Sequence, residues 1–366
     1  MREAFETNWL STVGPHLFAL EQAFTKLMGL PSVALGSGTA GLHLALRLAG
    51  VGVGDEVVAP TLTFVASANP ILYLGARPVF IDSERTTWNL DPTLLKGFLA
   101  ARARENRLPK AVIAVHLFGQ AAAIDEIGDL CRRHGVVLIE DAAESLGSQH
   151  RGCHPGTFGD VGVFSFNGNK MITGTSGGML VSRHADWVEK ARHWSTQARD
   201  PDPDGLHNYV HTEVGYNYRM SNVVAGIVLG QLEVLAERVV LRRGVFERYC
   251  RALADVPGLE PQPEPVGSAG VGSLHSRWLS CFLVDPVRFG MGAADLVRWL
   301  DRDQIEARPV WKPMHLQPLF VGAECLGGSV AAELNRCGIC IPSSSSLSSD
   351  DQWRVIQSIR RAAGRS

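Results

Sequence analysis

Short apolar runs alternate with longer amphipathic stretches over most of the first 240 residues. Val57-Val58-Ala59, Pro78–Ile81, Ala111–Val115 and Val136–Ile139 are rich in β-branched residues, which predicts buried strands. Between them lie helical patterns such as Ile124–His134, which stops at Gly135, where a C-terminal cap glycine belongs. This alternation predicts an α/β domain around a mainly parallel central sheet. Val161–Phe166 and Gly177–Ser182 are two further strand candidates. A long amphipathic stretch follows from Ser221 to about Cys250, where Gly226, Gly230 and Gly244 weigh against one unbroken helix. Val256–Gly272 is rich in Pro and Gly and reads as a loop. Beyond it, Trp278–Val284 is expected as a strand, Ala293–Asp301 as a helix and Ser348–Ala363 as a C-terminal helix. The division expected is a large α/β domain over 1–244 and a smaller α+β domain over 245–366. Neither an internal repeat nor a low-complexity tract is present.

Composition narrows the function classes. The chain has 366 residues, 45% hydrophobic and 20% charged, with a formal net charge of −2. Near-neutral charge argues against a partner such as nucleic acid or an anionic membrane, which would call for a strong basic excess. Acids stand near the start of the chain where a signal peptide would be basic, and no stretch of about 20 apolar residues exists to span a membrane. The seven cysteines are odd in number and scattered, which fits buried thiols in a reducing compartment better than a disulfide framework. A cytoplasmic enzyme is the expectation.

Several motifs can carry chemistry. Gly36-Ser-Gly-Thr-Ala-Gly41 opens a helical run, Leu42–Ala49; small residues, the Ser37 and Thr39 hydroxyls and unpaired helix amides make a phosphate site, or simply an N-cap. Ile139-Glu-Asp-Ala-Ala-Glu144 ends a predicted strand with acids, so Asp141 and Glu144 stand where open α/β sheets bind ligands, or decorate a helix start. Lys170 lies in a polar, glycine-rich turn between two predicted strands, as a nucleophile, a Schiff-base partner or an exposed turn lysine. Gly50–Gly54 follows a helix and precedes a strand, the reverse of a dinucleotide fingerprint, and the segment before Lys170 lacks Walker spacing. Cys337-Gly-Ile-Cys340 has no second ligand pair, and Cys153-His154 is no better supplied, so no metal site is expected. Taken together, a phosphate-type helix start, a strand-end acid and a lysine match the needs of pyridoxal 5'-phosphate: something for its phosphate, a carboxylate for its ring nitrogen and an amine for its aldehyde.

The chain resembles the DegT/DnrJ/EryC/StrS family of pyridoxal phosphate-dependent sugar aminotransferases over nearly its whole length. The resemblance rests on Leu35–Leu46, Pro60–Ser67, Glu140–Glu144, Gly159–Phe166 and Gly215–Asn222, in that order. Within the family it is most similar to the UDP-4-keto sugar transaminases of the bacillosamine pathway, on Asn167–Lys170, Ser195–Arg199, Arg277–Ser280 and Ile305–His315. The resemblance implies a type I aminotransferase fold, a homodimer with shared active sites, and transfer of an amine from L-glutamate to C4 of a UDP-linked 2-acetamido-4-keto-6-deoxy sugar. It makes Lys170 the residue that joins the cofactor aldehyde and shuttles protons. Asp141 would pair with the pyridinium nitrogen, Glu144 would lie by the ring hydroxyl and Phe64 would stack on the ring. Ser37, Gly38, Thr39 and Ser165 would hold the phosphate, with Asn217 completing that site from the other subunit. His315 and Arg308 would be sugar-nucleotide contacts. Family members usually carry further residues ahead of Thr12-Val-Gly14, with a Gly-rich turn at the substrate pocket, so either the start of the chain lies further upstream or that wall is built differently here. The rival readings are amination at C3 or on a dTDP- or GDP-linked sugar, a family dehydratase (which Lys170 opposes), a non-catalytic cofactor-binding regulator, and a nucleotide binder without the cofactor.

Overall fold

A computed structural model describes residues 2–265 and 273–365. Seven strands come first: β1 Ser32–Leu35, β2 Glu56–Pro60, β3 Arg77–Ile81, β4 Ala111–Val115, β5 Val137–Asp141, β6 Val161–Ser165 and β7 Gly178–Ser182. Five follow: β8 Leu259–Pro261, β9 Ser280–Val284, β10 Arg308–Pro309, β11 Glu324–Leu326 and β12 Gly338–Ile341. The large sheet runs β1-β7-β6-β5-β4-β2-β3-β11, and the small one runs β10-β12-β9-β8. In the large sheet only β7 runs against its neighbours. Helices cover both faces, which is why β4 is buried along its whole length and reads as an unbroken apolar run.

The parallel strands share one carboxyl edge, and this edge positions the site. Asp141 ends β5, Ser165 ends β6, and β1 leads through Gly36 and Ser37 into the helix Gly38–Leu48. Ser37 caps that helix by accepting the Ala40 amide at 3.0 Å. Gly178 lets the helix start press onto β7: a Cβ there would stand 2.6 Å from the Gly38 nitrogen. The helix Ile124–His134 has the expected bounds, and Gly135 closes it in the left-handed conformation (φ 67°).

Four elements differ from expectation. The stretch Ser221–Cys250 is two helices, Asn222–Leu232 and Leu235–Ala252, and they part at Glu233-Val234 rather than at a glycine. Gly226 stays helical because the helix Pro15–Met28 packs closely there; a Cβ would stand 3.2 Å from the His16 ring. The predicted loop Val256–Gly272 contains β8, whose Pro261 is tolerated on an edge strand, while 266–272 lie outside the described residues. The strand expected from Trp278 starts at Ser280, because Trp278 turns toward the Lys170 turn instead. Finally, Glu324–Leu326, far along the chain, returns to pair in parallel with β3. Asp82 fastens this return by accepting the Val330 and Ala331 amides at the start of the helix Ser329–Cys337. No helix among the described residues is long and apolar enough to cross a membrane.

Candidate active site

A cavity of about 670 Å³ opens at the carboxyl edge of the large sheet. The sheet side supplies Ser37, Gly38, Thr39, Phe64, Asp141, Glu144, Ser165 and Lys170, and the later chain supplies Trp278, Arg308, Trp311 and Cys340. Residues separated by more than two hundred positions thus meet around one space, of a volume usual for small-molecule sites.

Asp141 is 5% exposed. Its Oδ1 accepts the Ala143 amide at 3.1 Å, and its Oδ2 accepts the Ser67 hydroxyl at 2.7 Å. These donors hold the carboxylate at the end of β5, facing the cavity. Glu144 lies one turn further on; its Oε2 accepts the Phe118 amide at 2.7 Å, and its Oε1 is 3.7 Å from the Lys170 Nζ. Phe118 holds a left-handed backbone (φ 56°), uncommon for a bulky residue. Burial pushes the Glu144 carboxyl up to about 7, outweighing the downward pull of the Lys170 ammonium and the Phe118 amide, while the Asp141 charge adds to the rise.

Lys170 is not a freely solvated turn lysine; its side chain is 12% exposed. Its Nζ stands 4.2 Å from the centre of the Trp278 ring, and Trp278 donates its indole N–H to the carbonyl of Asn169 at 2.7 Å. One residue from the start of the small sheet therefore grips both the backbone and the side chain of the lysine turn. Trp278, Phe118, Trp311 and Phe64 form a chain of rings along this wall, with neighbouring centroids 5.0 to 6.4 Å apart.

The helix start supplies donors for an anion. Ala40 and Gly41 turn their amides back to Ser37, and the first-turn amides of Gly38 and Thr39 have no carbonyl partner within the helix. The hydroxyls of Ser37, Thr39 and Ser165 stand beside them. An anion cradle, a carboxylate acceptor and an amine thus surround one cavity flanked by an exposed aromatic face, Phe64 at 52%. This donor set fits pyridoxal phosphate, which needs all three.

Two expected site residues lie apart from the cavity. His315 Nδ1 is 2.6 Å from the Thr61 hydroxyl, which also accepts the His315 amide, so the ring serves to fasten the later chain to the end of β2. Burial lowers its affinity for a proton. Asn217 is exposed and paired in a short bridge with Thr196, next to Tyr216, whose ring stacks on Tyr218. Arg308 lines the rim, paired with Glu306. In the Cys337-Gly-Ile-Cys340 motif, Cys337 ends a helix, and Cys340 faces Cys281 across β9 and β12 with the sulfurs 3.4 Å apart. Ser67, Phe118, Trp278 and Trp311 carry no signal in isolation; Ser67, Trp278 and Trp311 fall inside the quoted motifs, but nothing in the sequence names their partners.

A sequence profile of the DegT/DnrJ/EryC1/StrS aminotransferase family matches residues 1–360. The chain is 49% identical over 360 residues to EpsN of Bacillus subtilis (strain 168), provisionally named a pyridoxal phosphate-dependent aminotransferase, covering 97% of this chain and 90% of EpsN. It is 36% identical to the GDP-perosamine synthase of Caulobacter vibrioides, covering 98% and 92% of the two chains. Among solved structures, the aminotransferase TlmJ from Streptoalloteichus hindustanus superposes with a TM-score of 0.88 at 31% identity, over 99% of this chain and 94% of TlmJ.

Proposed function

The chain belongs to the DegT/DnrJ/EryC1/StrS aminotransferase family, whose members transfer amines to sugars with pyridoxal phosphate, and on that premise we propose that it moves the amine of L-glutamate to the C4 ketone of a nucleotide-linked 4-keto-6-deoxy sugar. The sugar proposed is UDP-2-acetamido-2,6-dideoxy-4-keto-hexose. The observation that carries the reading is the meeting of Lys170, Asp141 and the Ser37–Thr39 helix start on one cavity. The motifs Asn167–Lys170, Ser195–Arg199 and Ile305–His315 support the sugar assignment.

When bound, pyridoxal phosphate supplies an aldehyde that exchanges amines and a ring that draws electrons from the attached carbon. Lys170 would hold the cofactor aldehyde until glutamate takes its place; once free, its amine would take the proton from the glutamate α-carbon and, in the second half, deliver one to the sugar C4. Asp141, its carboxylate fixed by two protein donors, would accept from the ring nitrogen. Glu144 would serve the ring hydroxyl, Phe64 would cover a ring face, and Ser37, Gly38, Thr39 and Ser165 would hold the phosphate. Arg308 meets the substrate diphosphate at the rim. His315, whose Nδ1 pairs with Thr61, is the second candidate contact for the sugar nucleotide, through its Nε2.

The proposal includes a homodimer in which Asn217 completes the phosphate site of the second copy. The exposed ring of Tyr73 beside His43 and Tyr216 supports an interface there. In mixed dimers pairing K170A with N217A copies, one site per dimer regains normal cofactor retention; no recovery would refute the sharing. Incubation with glutamate and a panel of UDP-, GDP- and dTDP-linked 4-keto and 3-keto sugars, read by mass spectrometry, tests the substrate. A product only from GDP-linked sugars would move the assignment to the runner-up, which the likeness to GDP-perosamine synthase favours.

A further inference from the structure

Between β2 and the next helix, the chain makes a single tight turn, Val65–Ser67, with Phe64 just before it. The Ser67 amide donates to the Phe64 carbonyl at 3.0 Å, so the ring at the cavity and the Ser67 hydroxyl belong to one rigid unit. That hydroxyl donates to Asp141 Oδ2 at 2.7 Å across 74 residues of chain. The Thr63 hydroxyl stands 2.7 Å from the same Ser67 oxygen. A serine hydroxyl has one proton, and here it is committed to the carboxylate, so Thr63 is the donor in the Thr63–Ser67 contact. Thr63 and Ser67 are each 1% exposed, so no bulk water competes for these bonds.

We propose that Ser67, backed by Thr63, is a positioning residue for the reaction: a two-hydroxyl relay that fixes the Asp141 carboxylate as an acceptor toward the cofactor's ring nitrogen. Both hydroxyls point their protons toward the same charge, and each polarises the next, so the relay is stronger than two separate bonds. The Ala143 amide holds the other oxygen, so the relay supplies the second of two fixed points that set the carboxylate plane. Because Phe64 and Ser67 share the turn, one short segment sets the ring face and the acceptor together. Glu144, by contrast, is held from Phe118 and does not enter the relay. The inference rests on the reading that Asp141 meets the ring nitrogen, and its test separates the two.

The experiment is a double-mutant cycle read as the equilibrium affinity of the cofactor-stripped full chain for pyridoxal phosphate, followed by tryptophan fluorescence. S67A weakens affinity about ten-fold when Asp141 is present, the size expected for a lost hydrogen bond to a charged group. In the D141N background the same substitution changes affinity less than about two-fold, because its effect runs through the carboxylate. T63V, nearly isosteric, follows the same pattern at about three-fold and serves as the readout should S67A fold poorly. Equal losses in both backgrounds, or no loss with Asp141 present, would overturn the relay while leaving Asp141 in its role. Were D141N itself without effect on affinity, the assignment of Asp141 would fail and take the relay with it.

Discussion

Asp141 and Arg308 face the same cavity under opposite conditions. Asp141 is 5% exposed, ends a central strand and accepts two fixed donors; the Arg308 side chain is 77% exposed and, among the described residues, pairs with Glu306, two residues away on the same surface segment. The floor of the cavity is therefore set before any ligand arrives, which is the condition for stabilising charge without reorganisation. The rim can exchange its partners at little cost, because an exposed ion pair is worth under about 1 kcal/mol. Under the proposed function, reaction class would belong to the floor and choice among substrates to the rim.

The largest expected effect tests the floor. K170A removes the amine that joins the cofactor and moves the proton, so turnover falls on the order of 10³–10⁴-fold. Borohydride then fixes no cofactor on the turn that held Lys170, read by peptide mass. Retained turnover or labelling there would remove the lysine from its role. D141N comes next: with cofactor supplied at saturation to offset its weaker binding, release of the glutamate α-proton slows on the order of 10²-fold, followed by isotope exchange. Near-normal exchange would show that the buried acceptor is dispensable and would break the contrast with the rim.

The same contrast explains what could be read without a structure. Ala111–Val115 and Ile124–His134 declare themselves because their periodicity is local, and burial on both faces imposes it. Asp141 and Lys170 can be singled out for the cavity they line because one ends a predicted strand, where such sheets bind ligands, and the other stands in a polar turn between two predicted strands. Ser67 is not, because a hydroxyl next to Ala66 says nothing about a carboxylate 74 positions later. Trp278 hides as an ordinary strand residue, although it is the contact between the small sheet and the lysine turn. The three-residue β11 has no period to detect, and only its pairing with β3 reveals it. His315 sits in a motif that suggests ligand contact, and nothing in that motif announces the pairing of its Nδ1 with Thr61, 254 positions earlier. What sequence conceals here is partnership over long separations.

A smaller effect on the floor concerns pH. Burial raises the Glu144 carboxyl from 4.5 to about 7 in the folded chain. Between those values the folded form holds a proton that the unfolded form has released, so stability falls as pH rises through the window, and the loss is complete above about pH 7. The total is a few kcal/mol, at roughly 1.4 kcal/mol per pH unit. Thermal melts of cofactor-stripped protein across this range should show the decline, and E144Q should remove it. K170A, which withdraws the nearby cation, should extend the decline to higher pH. A wild-type curve as flat as that of E144Q would mean that Glu144 is hydrated, and that the floor is less dry than its exposure implies.

The smallest effect belongs to the rim and sharpens the division most. If Arg308 greets a diphosphate that reaches the cavity from outside, R308A removes an attraction felt equally in the ground and transition states. KM for the nucleotide sugar should then rise about five-fold, with kcat unchanged and the glutamate half-reaction untouched. Glu306 holds the same guanidinium in the free protein, so E306Q should move KM the other way, by about two-fold, as the competitor for Arg308 weakens. The two shifts should shrink together as salt is raised, because both charges are exposed. A kcat loss in R308A as large as that of D141N would place a rim residue in the chemical step. The separation of chemistry from selection would then fail at the position where the structure draws it most clearly.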